Sequence, residues 1–279
     1  MAAGLLDAWR EITCPVVGML HLPALPGSPA FGGSWQEIET AVLRDAEALV
    51  EGGLHGLLLE NYGDVPFLPG RVPSEVVACM TACAVAVRKR FRVPLGINVL
   101  RNDGESALSI ALASEAQFIR VNVLTSARLT DQGVLDGIAH RLLRLRKILG
   151  AETIRILADV DVKHSSALAP ITLGEDAREL VERGCADGVI VSGQATGDAI
   201  CQSDLRQVRE AVPTVPVWIG SGVTSGQLPD LLPQADGVIV GTSLKTAGQV
   251  QLAVDTERAA QLMARHQEVA RQVPASERS

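Results

Sequence analysis

The sequence predicts a single (β/α)8 barrel of the phosphate-binding type over residues 1–279. Three observations predict it. Eight short β-branched runs each precede a loop and a helical pattern, an alternation that calls for a parallel sheet. The segments after the runs are long and those before them short, as in barrels whose sites sit at one end. Glycine-rich turns follow the last two runs.

The first run covers residues 15–22 (PVVGMLHL), and a loop over 23–34 leads to a helix over 35–51. Ile38, Val42, Ala46 and Leu49 recur there at helical spacing, and Gly52-Gly53 stops it. The second run, 56–61 (GLLLEN), is followed by a loop over 62–73 and a helix over 74–91. The third, 93–100 (VPLGINVL), precedes a helix over 106–114; the fourth, 118–124 (FIRVNVL), a helix over 134–149. The fifth, 154–162 (IRILADVDV), leads through 164–174 to a helix over 175–183, with Gly184 as its stop. The sixth, 188–192 (GVIVS), leads through 193–203 to a helix over 204–212. The seventh, 215–220 (VPVWIG), is followed by one weak helical turn within 224–232. The eighth, 237–241 (GVIVG), precedes a helix over 252–269. Residues 1–14 are expected as a helical lead-in and 274–279 as a flexible tail. An open dinucleotide-binding sheet would want G-x-G-x-x-G after the first strand, and LPALPGSPAFGG follows His21 instead.

With 47% hydrophobic and 20% charged residues, the chain has the balance of a water-soluble globular protein. The net charge of −7 and the lack of a basic stripe argue against nucleic-acid binding. Apolar runs of strand length only argue against integral membrane association. The opening residues carry Asp7 and Glu11, so no secretory leader is expected and the cytoplasm is the expected compartment. Cys14, Cys79, Cys83, Cys185 and Cys201 are irregularly spaced and read as small buried hydrophobes, with no disulfide framework.

A strand alternates its faces, so polar residues in step along these runs mark the barrel interior. In the fifth run Asp159, Asp161 and Lys163 share one face, opposite Val160 and Val162. Arg120 and Asn122 alternate with Ile119, Val121 and Val123; Asn98 alternates with Ile97 and Val99. Glu60 ends the second run and His21 the first, in step with Val17 and Met19. Buried charge is costly unless paired, so such a set at strand ends reads as a catalytic and binding constellation, or as a salt-bridge lattice plugging the barrel. In the catalytic reading His21, Glu60, Arg120, Asp159, Asp161 and Lys163 carry the chemistry. Lys163 is a charged acid or electrophile, because nearby carboxylates oppose the low pKa a Schiff-base lysine needs, and Asp159 or Asp161 is the base. Asp161→Asn is expected to abolish turnover. Asn61, Asn98, Asn122, His164, Ser192 and Gly193 are expected to bind substrate. No cofactor is predicted. A divalent metal would find ligand types in Asp159, Asp161, His21, His164 and Glu60, but no paired-histidine spacing supports one. His55, His140 and His266 read as ordinary surface or half-buried histidines.

Gly220-Ser221-Gly222 after the seventh run and Gly241-Thr242-Ser243 after the eighth let backbone N–H groups approach an anion. These are expected to bind phosphate, with Lys245 adding charge, so a phosphorylated small molecule is the expected partner.

The segments VVGMLHLPALPGSP, ENYGDVPF, ADVDVKHS, IGSGVT and ADGVIVGTSLK make the chain resemble the BtpA/SgcQ family over roughly residues 15–265. The resemblance implies a barrel of the phosphate-binding type and directs attention to His21, Glu60, Asn61, Asp159, Asp161, Lys163 and His164. It also implies the family's two associations, with photosystem I accumulation and peripheral thylakoid contact in photosynthetic bacteria, and with sugar metabolism elsewhere. Three functions follow as expectations: an enzyme acting on a sugar phosphate or nucleotide-like ligand, a biogenesis or stability factor for a membrane complex, or a phosphate sensor without catalysis. Aldol-type cleavage, isomerisation, decarboxylation and glycosyl transfer all remain open for the enzyme. Barrels of this kind are expected to form homo-oligomers by analogy.

Overall fold

The computed structural model describes residues 4–162, 164–193 and 201–272. The strands in chain order are β1 (Val16–His21), β2 (Gly56–Glu60), β3 (Leu95–Asn98), β4 (Phe118–Val121), β5 (Ala127–Thr130), β6 (Gly133–Asp136), β7 (Arg155–Val160), β8 (Ser165–Ala167), β9 (Gly188–Val191), β10 (Val217–Ile219) and β11 (Gly237–Val240). Among the described residues, eight of them close into a parallel barrel in the order β1-β11-β10-β9-β7-β4-β3-β2. The helices are α1 (Trp35–Glu51), α2 (Ser74–Arg90), α3 (Gly104–Ser114), α4 (Ala139–Ile148), α5 (Leu173–Glu182), α6 (Gln202–Ala211), α7 (Leu228–Leu231) and α8 (Thr256–Gln272). This is the predicted (β/α)8 fold, with the eight runs as its staves.

The strand alternation separates two apolar layers. Outward residues such as Val16, Leu57, Ile97, Ile119, Ile156 and Val160 pack under the helices. Inward residues Val17, Met19, Leu58, Phe118, Leu157, Ile190, Trp218 and Ile239 fill the lower barrel with Trp9 from the lead-in. Glycines make room for the rings: a Cβ on Gly96 would stand 2.2 Å from Phe118, and one on Gly237 2.6 Å from Trp218. Trp9 stacks at 5.3 Å from Trp218 and 5.8 Å from Phe118, stopping the lower end. In the lead-in, residues 7–9 form a single 3-10 turn.

Local signals explain the helices. Ser34 caps α1 by accepting from the Glu37 N–H, and Asp103 caps α3 from Ser106. Thr172 and Glu175 form a reciprocal capping box at α5.

Two expectations are corrected. The helix predicted over 134–149 begins only at Ala139, because Val134 belongs to β6 in a hairpin with β5. Gly133, at φ +97, makes the turn after Asp131-Gln132, a signal the helical periodicity masked. With β8 the hairpin forms a small antiparallel sheet on the loop side of the barrel. The cysteines are not uniformly buried: Cys14 and Cys83 are, whereas Cys185 and Cys201 are exposed. Among the described residues no helix is long and apolar enough to cross a membrane.

Candidate active site

His21, Glu60, Arg120 and Asn122, expected at the barrel mouth, sit on the inward face one layer above the apolar plug. There they surround a cavity of 360 Å³. Arg120 on β4 meets Asp159 on β7 edge-on, Nε to Oδ2 at 3.1 Å and Nη2 to Oδ1 at 2.9 Å. Asn122 donates to Asp159 Oδ2 at 2.7 Å, and Asn98 donates to the Arg120 carbonyl at 3.1 Å and to Asn122 Oδ1 at 3.3 Å. Burial by itself would lower the Arg120 pKa, but Asp159 and Glu60 more than offset this and hold it above the ordinary arginine value. Arg120 and Asn122 line the cavity; Asp159 lies buried beneath them.

On the β1–β2 wall, His21 Nε2 stands 3.7 Å from Glu60 Oε1, within ion-pair range. Tyr62 packs its ring at 4.8 Å from His21. Burial, reinforced by the Glu60 charge, raises the Tyr62 pKa, so its phenol stays protonated and can donate. His21 and Glu60 pair a titratable imidazole with a carboxylate in a half-closed space, an arrangement suited to proton transfer.

Both glycine turns line the same cavity, through Gly220, Ser221, Gly222, Gly241, Thr242 and Ser243. Gly220 is needed where it is: a Cβ there would stand 2.4 Å from Ile190 and 3.3 Å from the Arg120 Nη2. Gly222 takes φ +70, a conformation glycine adopts without strain. The Gly193 N–H donates to Ser221 Oγ at 3.2 Å, and Ser243 Oγ donates to the Val223 carbonyl at 2.8 Å, tying the β9, β10 and β11 loops together. Ser192 lies beside Gly220, below the cavity.

Three expected residues face elsewhere. Asp161 was placed on the face of Asp159, but β7 ends at Val160 and Asp161 takes φ +52, which breaks the alternation. Its half-exposed carboxylate accepts from Arg128 Nη1 at 2.7 Å, away from the cavity lining. Arg128 also pairs with buried Asp176, whose pKa is raised by burial against the pull of that arginine. Asn61 grips the backbone of Leu100, not the cavity. Lys245 is buried against Asp45 of α1 at 2.7 Å, so it anchors the loop after β11 and brings no charge to the mouth. His164 lines the cavity, and Lys163 lies outside the described residues. Among the described residues no group of three or more His, Cys, Asp or Glu gathers with metal-holding geometry.

Periodicity does not mark Tyr62, Phe67 and Arg101, which also line the cavity. They stand in loops, where no alternation marks the inward side. The available signal was position alone: Arg101 directly follows the third run, at the end where barrel sites gather.

Fold and site together define a (β/α)8-barrel protein with a charged cavity at the C-terminal ends of its strands, ringed by two glycine turns. The chain belongs to the BtpA family, whose model matches residues 12–268. An uncharacterised protein of Thermococcus kodakarensis is 47% identical over 250 residues, covering 89% of this chain and 94% of the relative. The Photosystem I biogenesis protein BtpA of Synechocystis sp. is 43% identical over 244 residues, covering 88% of this chain and 85% of the relative. Among solved structures, thiamine phosphate pyrophosphorylase from Pyrococcus furiosus superposes with a TM-score of 0.55 at 15% identity, covering 92% of this chain and 96% of that one. At that identity the likeness speaks for the fold.

Proposed function

We propose that this barrel is an enzyme acting on a small phosphorylated molecule by acid–base chemistry. The observation that carries it is convergence: the two glycine turns, the His21–Glu60 pair and the Arg120 guanidinium all open on one cavity. In this reading the N–H groups of the Gly220–Gly222 and Gly241–Ser243 turns hold the phosphate, where a following backbone of small residues admits close approach. His21 and Glu60 move the proton. Arg120, held by Asp159 and largely buried, stabilises negative charge that develops on the substrate. Asn122 and His164 contact the substrate, and Lys163, next in the chain to cavity-lining Val162 and His164, keeps its expected role as a charged acid. Asp159, Asn98 and Asn61 act behind the lining as positioning residues. No cofactor enters this reading. The pyrophosphorylase sharing the fold has a phosphate ester in its name, which agrees with the proposal.

The test is a thermal-shift titration with inorganic phosphate and a panel of sugar phosphates. Binding raises Tm in proportion to RT ln(1 + [L]/Kd), so a ligand at 100 times its Kd adds about 2.7 kcal/mol. The expected result is a concentration-dependent rise in the wild type that Ser221→Asp removes, since a carboxylate then occupies the cradle. A folded wild type unmoved by every phosphorylated ligand would overturn the reading. It would favour the assembly-factor role that the Synechocystis relative's name suggests.

A further inference from the structure

We propose that Arg101 is the receptor for a substrate carboxylate, so that the substrate is a phosphorylated carboxylic acid. This rests on the phosphate reading above and extends it to the opposite wall of the same cavity.

Arg101 lines the cavity from the loop after β3 and is only 7% exposed. In the ring of eight strands β3 stands four places from β10, directly across the barrel from a glycine turn. A ligand filling the cavity with its phosphate on the β10 and β11 turns therefore points its far end at the Arg101 wall.

The backbone around Arg101 is pinned on every side. Asn61 Oδ1 accepts from the Leu100 N–H at 2.7 Å while its Nδ2 donates to the Leu100 carbonyl at 3.4 Å. Asn102 repeats the device on the next loop, accepting from the Val123 N–H at 2.8 Å and donating to the Val123 carbonyl at 2.9 Å. The Arg101 N–H itself donates to the Leu68 carbonyl at 3.2 Å. Asp103 accepts from Val72 on one oxygen and from Ser106 on the other, at 2.9 and 3.0 Å. Four consecutive residues are thus held by hydrogen bonds, and the Arg101 side chain springs from a pinned backbone, which lowers the ordering cost of a receptor.

A guanidinium fork takes a carboxylate or a phosphate side-on, and this one is given the carboxylate because the phosphate has its own cradle across the cavity. The Tyr62 phenol, protonated, lines the same cavity from the loop after the adjacent strand. The glycine turns that suit a dianion belong to the other wall. Burial pulls the Arg101 pKa down against the opposing fields of Asp159, Asp131 and Glu60, and the charge of a bound anion would favour the cationic form further.

The test compares matched ligands differing only at the end away from phosphate: 6-phosphogluconate against glucitol 6-phosphate, and 3-phosphoglycerate against glycerol 3-phosphate. Glucitol 1,6-bisphosphate tests the rival anion. Affinities are read by calorimetry on wild type, Arg101→Gln and Arg101→Lys, with inorganic phosphate as the control. A charge-assisted contact is worth at least about 10-fold, so the acid of one pair should bind that much more tightly than its alcohol in the wild type. Arg101→Gln should erase the preference and Arg101→Lys keep part of it, with phosphate binding unchanged in both. The wild-type comparison stands even if a variant fails to fold. Equal binding of acid and alcohol, or tighter binding of the bisphosphate than of either acid, overturns the carboxylate assignment and leaves the phosphate reading intact. Failure of every phosphorylated probe, inorganic phosphate included, overturns both.

Discussion

Asp159 gives both carboxylate oxygens to Arg120, one to Nε and one to Nη2, from the neighbouring strand and almost wholly out of solvent. Arg120 lines the cavity and Asp159 lies buried behind it, so the barrel's stability and the charge at the cavity wall depend on the same contact.

Removing one partner exposes that dependence. Asp159→Leu leaves Arg120 buried without its counter-charge and is expected to cost about 3–5 kcal/mol in urea denaturation. Replacing both, with Arg120→Met added, should recover most of the loss while abolishing binding of anionic ligands. A single variant as stable as the wild type would show that the pair is solvated in solution.

The lower end of the barrel should be acid-sensitive. His55 accepts from the Val16 N–H through Nδ1 at 3.0 Å and lies 5.2 Å from the His266 ring. Burial, with a smaller push from His266, lowers the His55 pKa from 6.5 to about 4. The unfolded chain therefore binds a proton that the folded chain refuses, and stability falls as pH drops from 6.5 towards 4. Tm measured across that window should decline, and His55→Asn should flatten the decline. An unchanged slope would place the acid sensitivity elsewhere.

In the proposed enzyme His21 and Glu60 move the proton. Once a substrate is in hand, His21→Gln and Glu60→Gln should each lower kcat by about 100- to 10,000-fold with little change in Tm. Asp161→Asn should spare both turnover and ligand affinity, because that half-exposed carboxylate serves Arg128 outside the cavity. Loss of turnover in Asp161→Asn alone would return the base role to it.

The barrel was legible because its staves are short β-branched runs with an inward polar tip, and period-two alternation correctly turned His21, Glu60, Asn98, Arg120 and Asp159 inward. Alternation ends where the chain leaves the strand. Asp161 is two residues past Asp159 in sequence, but one positive φ rotates it out of step. Arg101 and Tyr62 reach the cavity from loops held by side-chain amides, and such contacts have no sequence period. Lys245, expected to add charge to a phosphate turn, pairs instead with Asp45, two hundred positions away in the chain, a distance that no local pattern spans.

Trp9 closes the lower end of the barrel against Phe118 and Trp218, which makes the molecule a cup and not a tube. In the proposed enzyme, reactant and product share one doorway. A spent molecule then has to depart before the next can arrive, so traffic at the rim sets a ceiling on throughput however fast the bond-making below.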